Sequence, residues 1–418
     1  MKFRDIPYTR PDLDELIRNI ETLISDFKTA DSPQIQIDLM KQIKEARNEV
    51  ETNQSIVNIR HSINTNDEFY DKENKFFDEN TPRYSAVINE YYSAVIESPF
   101  KKELSDVFGE HFINLAKVKQ ESFDQSTIDL LKEENKLTSE YNVLIAQLEI
   151  TVREKKYSIG NISPLLSSPD RILRKEAAEA LYTSLEKQQD KFDQIYHELV
   201  NIRHKTATKM GFKNYVELGY KKLNRTDYNS RDVSEYRQAI LEYVVPVVKK
   251  LKVRQKKRLG LDSLKYYDAG FKFQSGNPKP KGTPEEIVKN GENMYRELSD
   301  ETNEFFQFML KHELMDLKSK EGKMAGGYAA ILGKYKYPFI FSNFNGTAHD
   351  VDVLTHEAGH TFQFFRSMSQ PIPEYYFPTY EAAEIHSMSM EFFAYPWMNS
   401  FFQEDEEKYK FSHLSGSI

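Results

Sequence analysis

The sequence predicts a mainly α fold, a large helical body with a small β-sheet edge close to its chemistry. Three observations carry that expectation. Apolar residues recur at three- and four-residue steps along most of the chain. Aromatic residues reach 13%, with 28 Phe and 25 Tyr, which is enough bulk for sizeable cores although only 39% of residues are apolar. Strand-like runs are confined to short stretches near residues 150 and 340. At 418 residues the chain exceeds one minimal core, and the expected division is an N-terminal helical domain over 1–165 and a second domain over 166–418.

The elements follow in order. Leu13, Leu16, Ile17, Ile20, Leu23, Ile24 and Phe27 form an amphipathic stripe after Pro11 and Asp12. Ser32-Pro33 opens a second helix, and helical patterning continues to about residue 147. Around Arg153–Lys156, Ile150, Thr151, Val152 and Tyr157 read as a short hairpin. Ser163-Pro164 and Ser168-Pro169-Asp170 then punctuate the chain before a new helix. Residues 249–258 carry seven basic side chains in ten positions without interleaved aromatics, a solvated helix face and not a nucleic-acid site. Gly260 to Pro280 reads as irregular or short β structure, and two helices run from about 283 to 313. Ala325-Gly326-Gly327-Tyr328 is a flexible loop. Tyr337–Phe344 is a strand, placed at a sheet edge because Pro338 cannot donate to a ladder. Asn345-Gly346 turns the chain, and Thr347–Asp350 resembles a capping box with Asp in place of Glu.

Composition narrows the chemistry. The absence of Cys excludes disulfides, thiolate metal sites, iron–sulfur clusters and a cysteine nucleophile, so any metal is held by imidazole and carboxylate. A net charge of −8 argues against nucleic acid as a partner. The N-terminus lacks the apolar stretch of a signal peptide and no run approaches a membrane span, so a cytoplasmic protein without a membrane partner is expected.

His356-Glu357-Ala358-Gly359-His360 is an H-E-x-x-H motif. On a helix the two imidazoles lie about 40° apart on one face and can reach one Zn²⁺. Glu357, displaced by about 100°, can contact a water held there without ligating the metal. A second helix, beginning near Pro378 and ending before Pro396, carries Glu384 and Glu391 on one face; one can bind the metal and the other can support a ligand. Gly359 costs about 1 kcal/mol relative to Ala inside a helix, and close packing of the second helix is the expected reason for it. Asp352, one turn before His356, either orients that imidazole or complements the helix N-terminus. His386 points away from the metal, His349 and His413 read as structural, and Met388, Met390, Phe392 and Phe393 read as core.

GTAHDVDVLTHEAGHTFQ followed by YEAAEIHSMSMEFF resembles the oligoendopeptidase F branch of the thimet-oligopeptidase-like zinc metallopeptidases, and the upstream AGGY and FSNFNGT elements resemble it too. The specific match covers about residues 325–400. The resemblance implies one zinc ion held by His356, His360 and Glu384, with Glu357 as general base. It implies a two-lobed helical body around a deep channel that admits oligopeptides, and endopeptidase cleavage of them. In that reading residues 166–418 form the metallopeptidase domain, with Asp352 and Glu391 behind the ligands. Gly326, Gly327 and Tyr328 form a wall of the cleft, while Phe341 and Asn343 mark a strand to which an extended peptide pairs.

Members of that family continue past the third ligand and supply His and Tyr side chains that stabilise the oxyanion. This chain runs 34 residues beyond Glu384, with no Tyr after Tyr409. Losing one oxyanion donor costs about 10²–10³ in rate, so the expectation is zinc binding with weak turnover, and a separate chain as the partner supplying the remainder. The alternative is a zinc-containing peptide-binding module that does not turn over. Glu357 argues against it, because a pure binder has no use for that carboxylate. A zinc aminopeptidase would need a group to hold a free α-amine near the metal, and the motif region offers none.

Overall fold

The computed structural model describes residues 1–418, and helices dominate it. The N-terminal part is built from α1 (Leu13–Thr29), α2 (Pro33–Ile63), α3 (Glu68–Glu97), α4 (Lys101–Phe108), α5 (Glu110–Glu121) and α6 (Ile128–Ala146). Asp12 caps α1 by accepting from the Glu15 N–H, and Ser32 caps α2 ahead of Pro33 at its first turn. The α1 stripe buries Leu13, Ile17, Ile20, Ile24 and Phe27 against Tyr91, Val95, Leu104 and Phe112. Each such side chain contributes about 1.5–3 kcal/mol by leaving water, which fixes these helices as one packed layer.

A hairpin of β1 (Ile150–Val152) and β2 (Lys155–Tyr157) follows, as the sequence predicts. Arg153 and Glu154 turn it with positive φ angles of 46° and 69°, the mirror-image turn that matches strand twist. The chain continues through α7 (Ser163–Leu166), α8 (Arg171–Glu186), α9 (Gln189–Lys209), α10 (Tyr215–Lys222), α11 (Ser230–Ala239) and α12 (Val245–Arg258). The basic run lies on α12, exposed except for the half-buried Leu251 and Arg258 and the buried Gln255. Residues 259–283 are irregular apart from one tight turn at Tyr266–Asp268, and α13 (Pro284–Leu298) and α14 (Asp300–Lys311) come next.

The sheet that positions the site contains β3 (Met315–Lys318), β4 (Tyr328–Leu332) and β5 (Tyr337–Phe344), in the order β3-β5-β4. The edge placement expected for residues 337–344 is therefore wrong, because β5 is the central strand. It pairs parallel to β3 and antiparallel to β4. Pro338 is tolerated because β3 does not reach it: pairing on that side starts at Ile340, whose N–H donates to Leu314 O at 2.9 Å. The core beneath β5 gathers Phe339, Ile340 and Phe341 with Tyr295, Phe305, Phe306, Val351 and Leu354, and also takes Phe3, Ile6, Ile56 and Ile59 from the N-terminal part.

From β5 the chain enters α15 (His349–Ser367), then α16 (Tyr380–Phe393), α17 (Met398–Phe402) and α18 (Glu406–Ser417). The expected capping box at Thr347–Asp350 does not form, since Ala348 occupies the cap position. The Asp350 carboxylate instead accepts from the N–H groups of Asn345 and Gly346 at 2.9 and 2.8 Å, pinning the turn to the helix start. Gly346 takes a φ of +83°, which an L side chain would resist. No helix is long and apolar enough to cross a membrane.

Candidate metal centre

The helices α15 and α16 pack face to face, and Gly359 makes the approach possible. A Cβ there would lie 2.6 Å from both His386 O and Ser387 Cα of α16. This is the close packing that a mid-helix glycine predicts. His356 and His360 project from one face of α15 with ring centroids 4.9 Å apart, and Glu384 on α16 meets them. One donor atom from each of the three lies within 4.8 Å of the others. Glu384 Oε2 is 3.2 Å from His356 Nε2 and 3.8 Å from His360 Nε2, and it also accepts from Ser387 Oγ at 2.9 Å. Two imidazole nitrogens and one carboxylate oxygen converging from two rigid helices are a donor set suited to Zn²⁺ that leaves a position open.

Glu357 stands beside this cluster. It is 6% exposed and its Oε2 is buried without a hydrogen-bond partner. Burial pushes its carboxyl up to about 7, with the nearby Glu384 charge adding to the rise and His356 opposing it. A carboxyl poised there exchanges protons readily at neutral pH. Gly327 borders it: a Cβ at that position would come within 3.4 Å of Glu357 Oε1 and within 3.1 Å of Val353 Cγ1.

Behind the cluster lies Glu391. His356 Nδ1 bonds Glu391 Oε1 at 2.6 Å, which fixes the ring and presents Nε2 to Glu384 and His360. His413 Nε2 reaches the other oxygen of Glu391, and His413 Nδ1 bonds Tyr395 Oη at 2.7 Å. Burial alone would raise the Glu391 carboxyl, but its hydrogen bonds with His356 and His413 hold it down at about 2. It is therefore an anion at neutral pH. Burial lowers the His360 imidazole, keeping it neutral and available as a ligand.

The other predicted residues divide. Asp352 does not touch His356, whose Nδ1 is already taken; it accepts from Tyr409 Oη at 2.7 Å. Tyr328 and Phe341 stack at 4.8 Å on the face of the sheet opposite Gly327 and α15. Phe341 is fully buried, so it lines no cleft. Asn343 holds the glycine loop from behind, donating to Met324 O and Gly326 O, both at 2.8 Å. Gly326 and Gly327 are exposed. His386 Nδ1 is buried and unpartnered. Sequence reasoning missed His413, Tyr395 and Tyr409. They belong to no local motif: the packing of α18 brings His413 to Glu391 and Tyr409 to Asp352, and Tyr395 meets His413.

Comparison with known proteins gives the family. The Peptidase M3 N-terminal domain matches residues 3–123 and Peptidase family M3 matches residues 164–416. Among solved structures, PZ peptidase A with an inhibitor is 47% identical with a TM-score of 0.98, aligned over 100% of this chain and 74% of its own. A candidate oligoendopeptidase F from Bacillus anthracis is 46% identical with a TM-score of 0.98, over 100% and 77%. The group B oligopeptidase PepB of Streptococcus agalactiae is 24% identical over 52% of this chain and 35% of its own length. A plasmid oligoendopeptidase F of Lactococcus lactis is 26% identical over 56% and 37%. The chain thus spans about a third of the length of the curated relatives it matches. Two family domains, a shared fold at nearly half identity and the convergence of two histidines with a glutamate lead to one conclusion: the chain belongs to peptidase family M3.

Proposed function

We propose that the chain is a zinc-dependent endopeptidase acting on short oligopeptides. The observation that carries this reading is the convergence of His356, His360 and Glu384 beside a buried Glu357 carboxyl with an unpartnered oxygen. The three convergent residues would hold one Zn²⁺. When bound, the ion supplies Lewis acidity, polarising the scissile carbonyl and acidifying a water. Glu357 takes the proton of the attacking water at its carboxylate and returns it to the departing amine. Glu391 holds His356 in one orientation so that the ligand nitrogen stays aimed.

The free sheet edge beside Glu357 belongs to β4, since β5 is paired on both sides. An extended peptide would add to β4 through the backbone from Gly326 to Ala330, where the glycines keep the approach open. Phe341 and Asn343 act behind that edge and leave the peptide to the backbone in front of them. Impaired turnover and a separate completing chain find no support in the comparisons and are set aside.

The test compares the chain with Glu357→Gln for metal content and for hydrolysis of an internally quenched peptide. Zinc in both with cleavage at an internal bond only by the unmodified chain is expected, with a loss of at least about 10²-fold in the variant. Cleavage by the variant at the unmodified rate would refute the role of Glu357. Release of single N-terminal residues would refute the endopeptidase assignment.

A further inference from the structure

On the face of the sheet opposite α15, Tyr328 and Met324 close one side of a cavity of about 420 Å³. Helices α2, α3 and α6 form its other walls. The volume falls within the range of small-molecule and peptide-side-chain pockets, roughly 300–1,000 Å³. Its lining is polar and rich in acceptors: Asn58, His61, Asp78, Asn135, Asn142 and Tyr328 among others, with no lysine or arginine.

The charges around it do not cancel. Glu134 is neutralised by Arg203 at 2.7 Å and Lys222 at 3.7 Å. Asp78 has no cationic partner. Its Oδ2 is held by Ser139 Oγ at 2.6 Å and Asn74 Nδ2 at 3.2 Å, which positions the carboxylate without compensating its charge. Burial raises the Asp78 carboxyl to about 6, with the Asp71 charge adding to the rise and the Ser139 hydrogen bond and Lys75 charge opposing it. Two further side chains lack a hydrogen bond there: His61 is 4% exposed with Nε2 3.8 Å from Asp71 Oδ1, and the Tyr328 Oη is buried without one. Buried polar groups are normally satisfied, and two incomplete ones beside a carboxylate in one cavity mark a place built for a ligand.

The cavity shares a wall with the candidate centre. Met324 and Tyr328 line it, while Gly327 between them borders Glu357 on the opposite face. A peptide lying along the β4 edge could therefore send one end or one side chain around the loop into it. We infer that this cavity is a subsite for a primary ammonium group of the substrate, held by Asp78 with the amide and hydroxyl oxygens around it. An ammonium offers three N–H donors and no acceptor, which matches one uncompensated carboxylate among neutral oxygens. The group is either the α-amine of a peptide N-terminus or the side chain of a lysine flanking the cleaved bond. This inference rests on the peptidase reading for its substrate class.

Its test reads binding apart from hydrolysis. Three dye-labelled decapeptides of one sequence are titrated against the full chain carrying Glu357→Gln: one with a free α-amine, one N-acetylated, and one N-acetylated with a single flanking lysine. At least one ammonium-bearing peptide should bind about tenfold more tightly than the plain acetylated peptide, the α-amine or the lysine identifying the source. Asp78→Asn should abolish the preference while leaving the acetylated peptide unaffected. Because Asp78 also anchors α3 to α6 through Ser139, Asn58→Leu serves as a second variant that fills the cavity and leaves those bonds alone. Equal affinity for all three peptides, no binding of any, or a preference surviving both substitutions would overturn the inference. Hydrolysis of the same peptides by the chain with Glu357 intact reads the peptidase separately, so an ammonium preference without cleavage would overturn that reading and leave the subsite standing.

Discussion

Replacing Gly359 with Ala sets two effects of opposite sign against each other. Inside an exposed helix the change gains about 1 kcal/mol, because Ala loses less backbone freedom on folding. Here the added methyl would sit 2.6 Å from His386 O and Ser387 Cα, about 0.8 Å short of the 3.4 Å where ordinary contact begins. Both neighbours are backbone, so no rotamer change relieves the clash and α16 itself has to shift. Overpacking of this kind costs about 1–3 kcal/mol or more, and a double backbone clash belongs at the upper end. A net loss of about 2 kcal/mol is expected in urea unfolding. The larger effect is on the site, because Glu384 rides on α16 while His356 and His360 stay on α15. A displacement approaching 1 Å in a catalytic constellation costs about 10²-fold in rate. Zinc affinity by chelator competition and peptide hydrolysis should both fall. Gly219→Ala in α10 is the control, since a Cβ there lies at an ordinary 3.5 Å from the Tyr215 ring and should stabilise. A Gly359→Ala protein that gains stability like the control, with zinc affinity intact, would refute the reasoning.

Glu391→Gln removes the anion that His356 and His413 share, and zinc affinity by chelator competition should drop about 10–100-fold with the helical circular dichroism unchanged. Asp268 is fully buried between Arg171 and Arg174, with bonds of 2.8 and 2.9 Å. Burial opposes its ionisation, but those guanidinium groups and the Lys265 N–H hold its carboxyl down at about 2, below the ordinary 3.8. A depressed carboxyl contributes stability that is complete above its unfolded pKa and lost as pH falls through the folded one. Unfolding free energy should therefore decline between about pH 4 and pH 2 more steeply in the unmodified chain than in Asp268→Asn. At neutral pH that variant should lose about 3–5 kcal/mol, because Arg174 would remain buried without its counter-charge. Equal acid sensitivity in the two proteins would show that the pair does not couple to folding.

What could be read from the sequence was what local rules determine. The α1 stripe, the caps at Asp12 and Ser32, the hairpin at 150–157 and the spacing of His356 and His360 are fixed by periodicity over a few residues. The reason for Gly359 was legible too, since a costly residue in a helix demands a compensating contact. The failures share one cause, the dependence of local chemistry on distant partners. Pro338 reads as an edge signal only if the neighbouring strand runs the full length of β5, and β3 begins pairing two residues later. Helix geometry leaves Asp352 either orienting His356 or complementing the helix N-terminus, but Tyr409, 57 residues on, takes its carboxylate and leaves His356 to Glu391. Phe341 and Asn343 lie on the predicted strand, but its central position turns one into core and the other into a brace for the glycine loop.

The last helix ties these corrections together. Tyr409 is almost wholly buried, stacks on Phe402 at 4.1 Å and donates to Asp352 on α15. One turn later His413 reaches Glu391 on α16. Positions 409 and 413 share a face of α18, so a single helix face grips both elements that carry the candidate ligands. Each grip is a hydrogen bond to a carboxylate at a buried or partly buried site, the kind worth roughly twice a neutral one. Glu391 is the joint, because one of its oxygens belongs to His356 and the other to His413. A shift of α18 would thus be felt at His356 Nε2 through three side chains, with no change in the ligands themselves. The precision of the centre depends on residues that no motif contains, which is why H-E-x-x-H identifies the chemistry but leaves its support unseen.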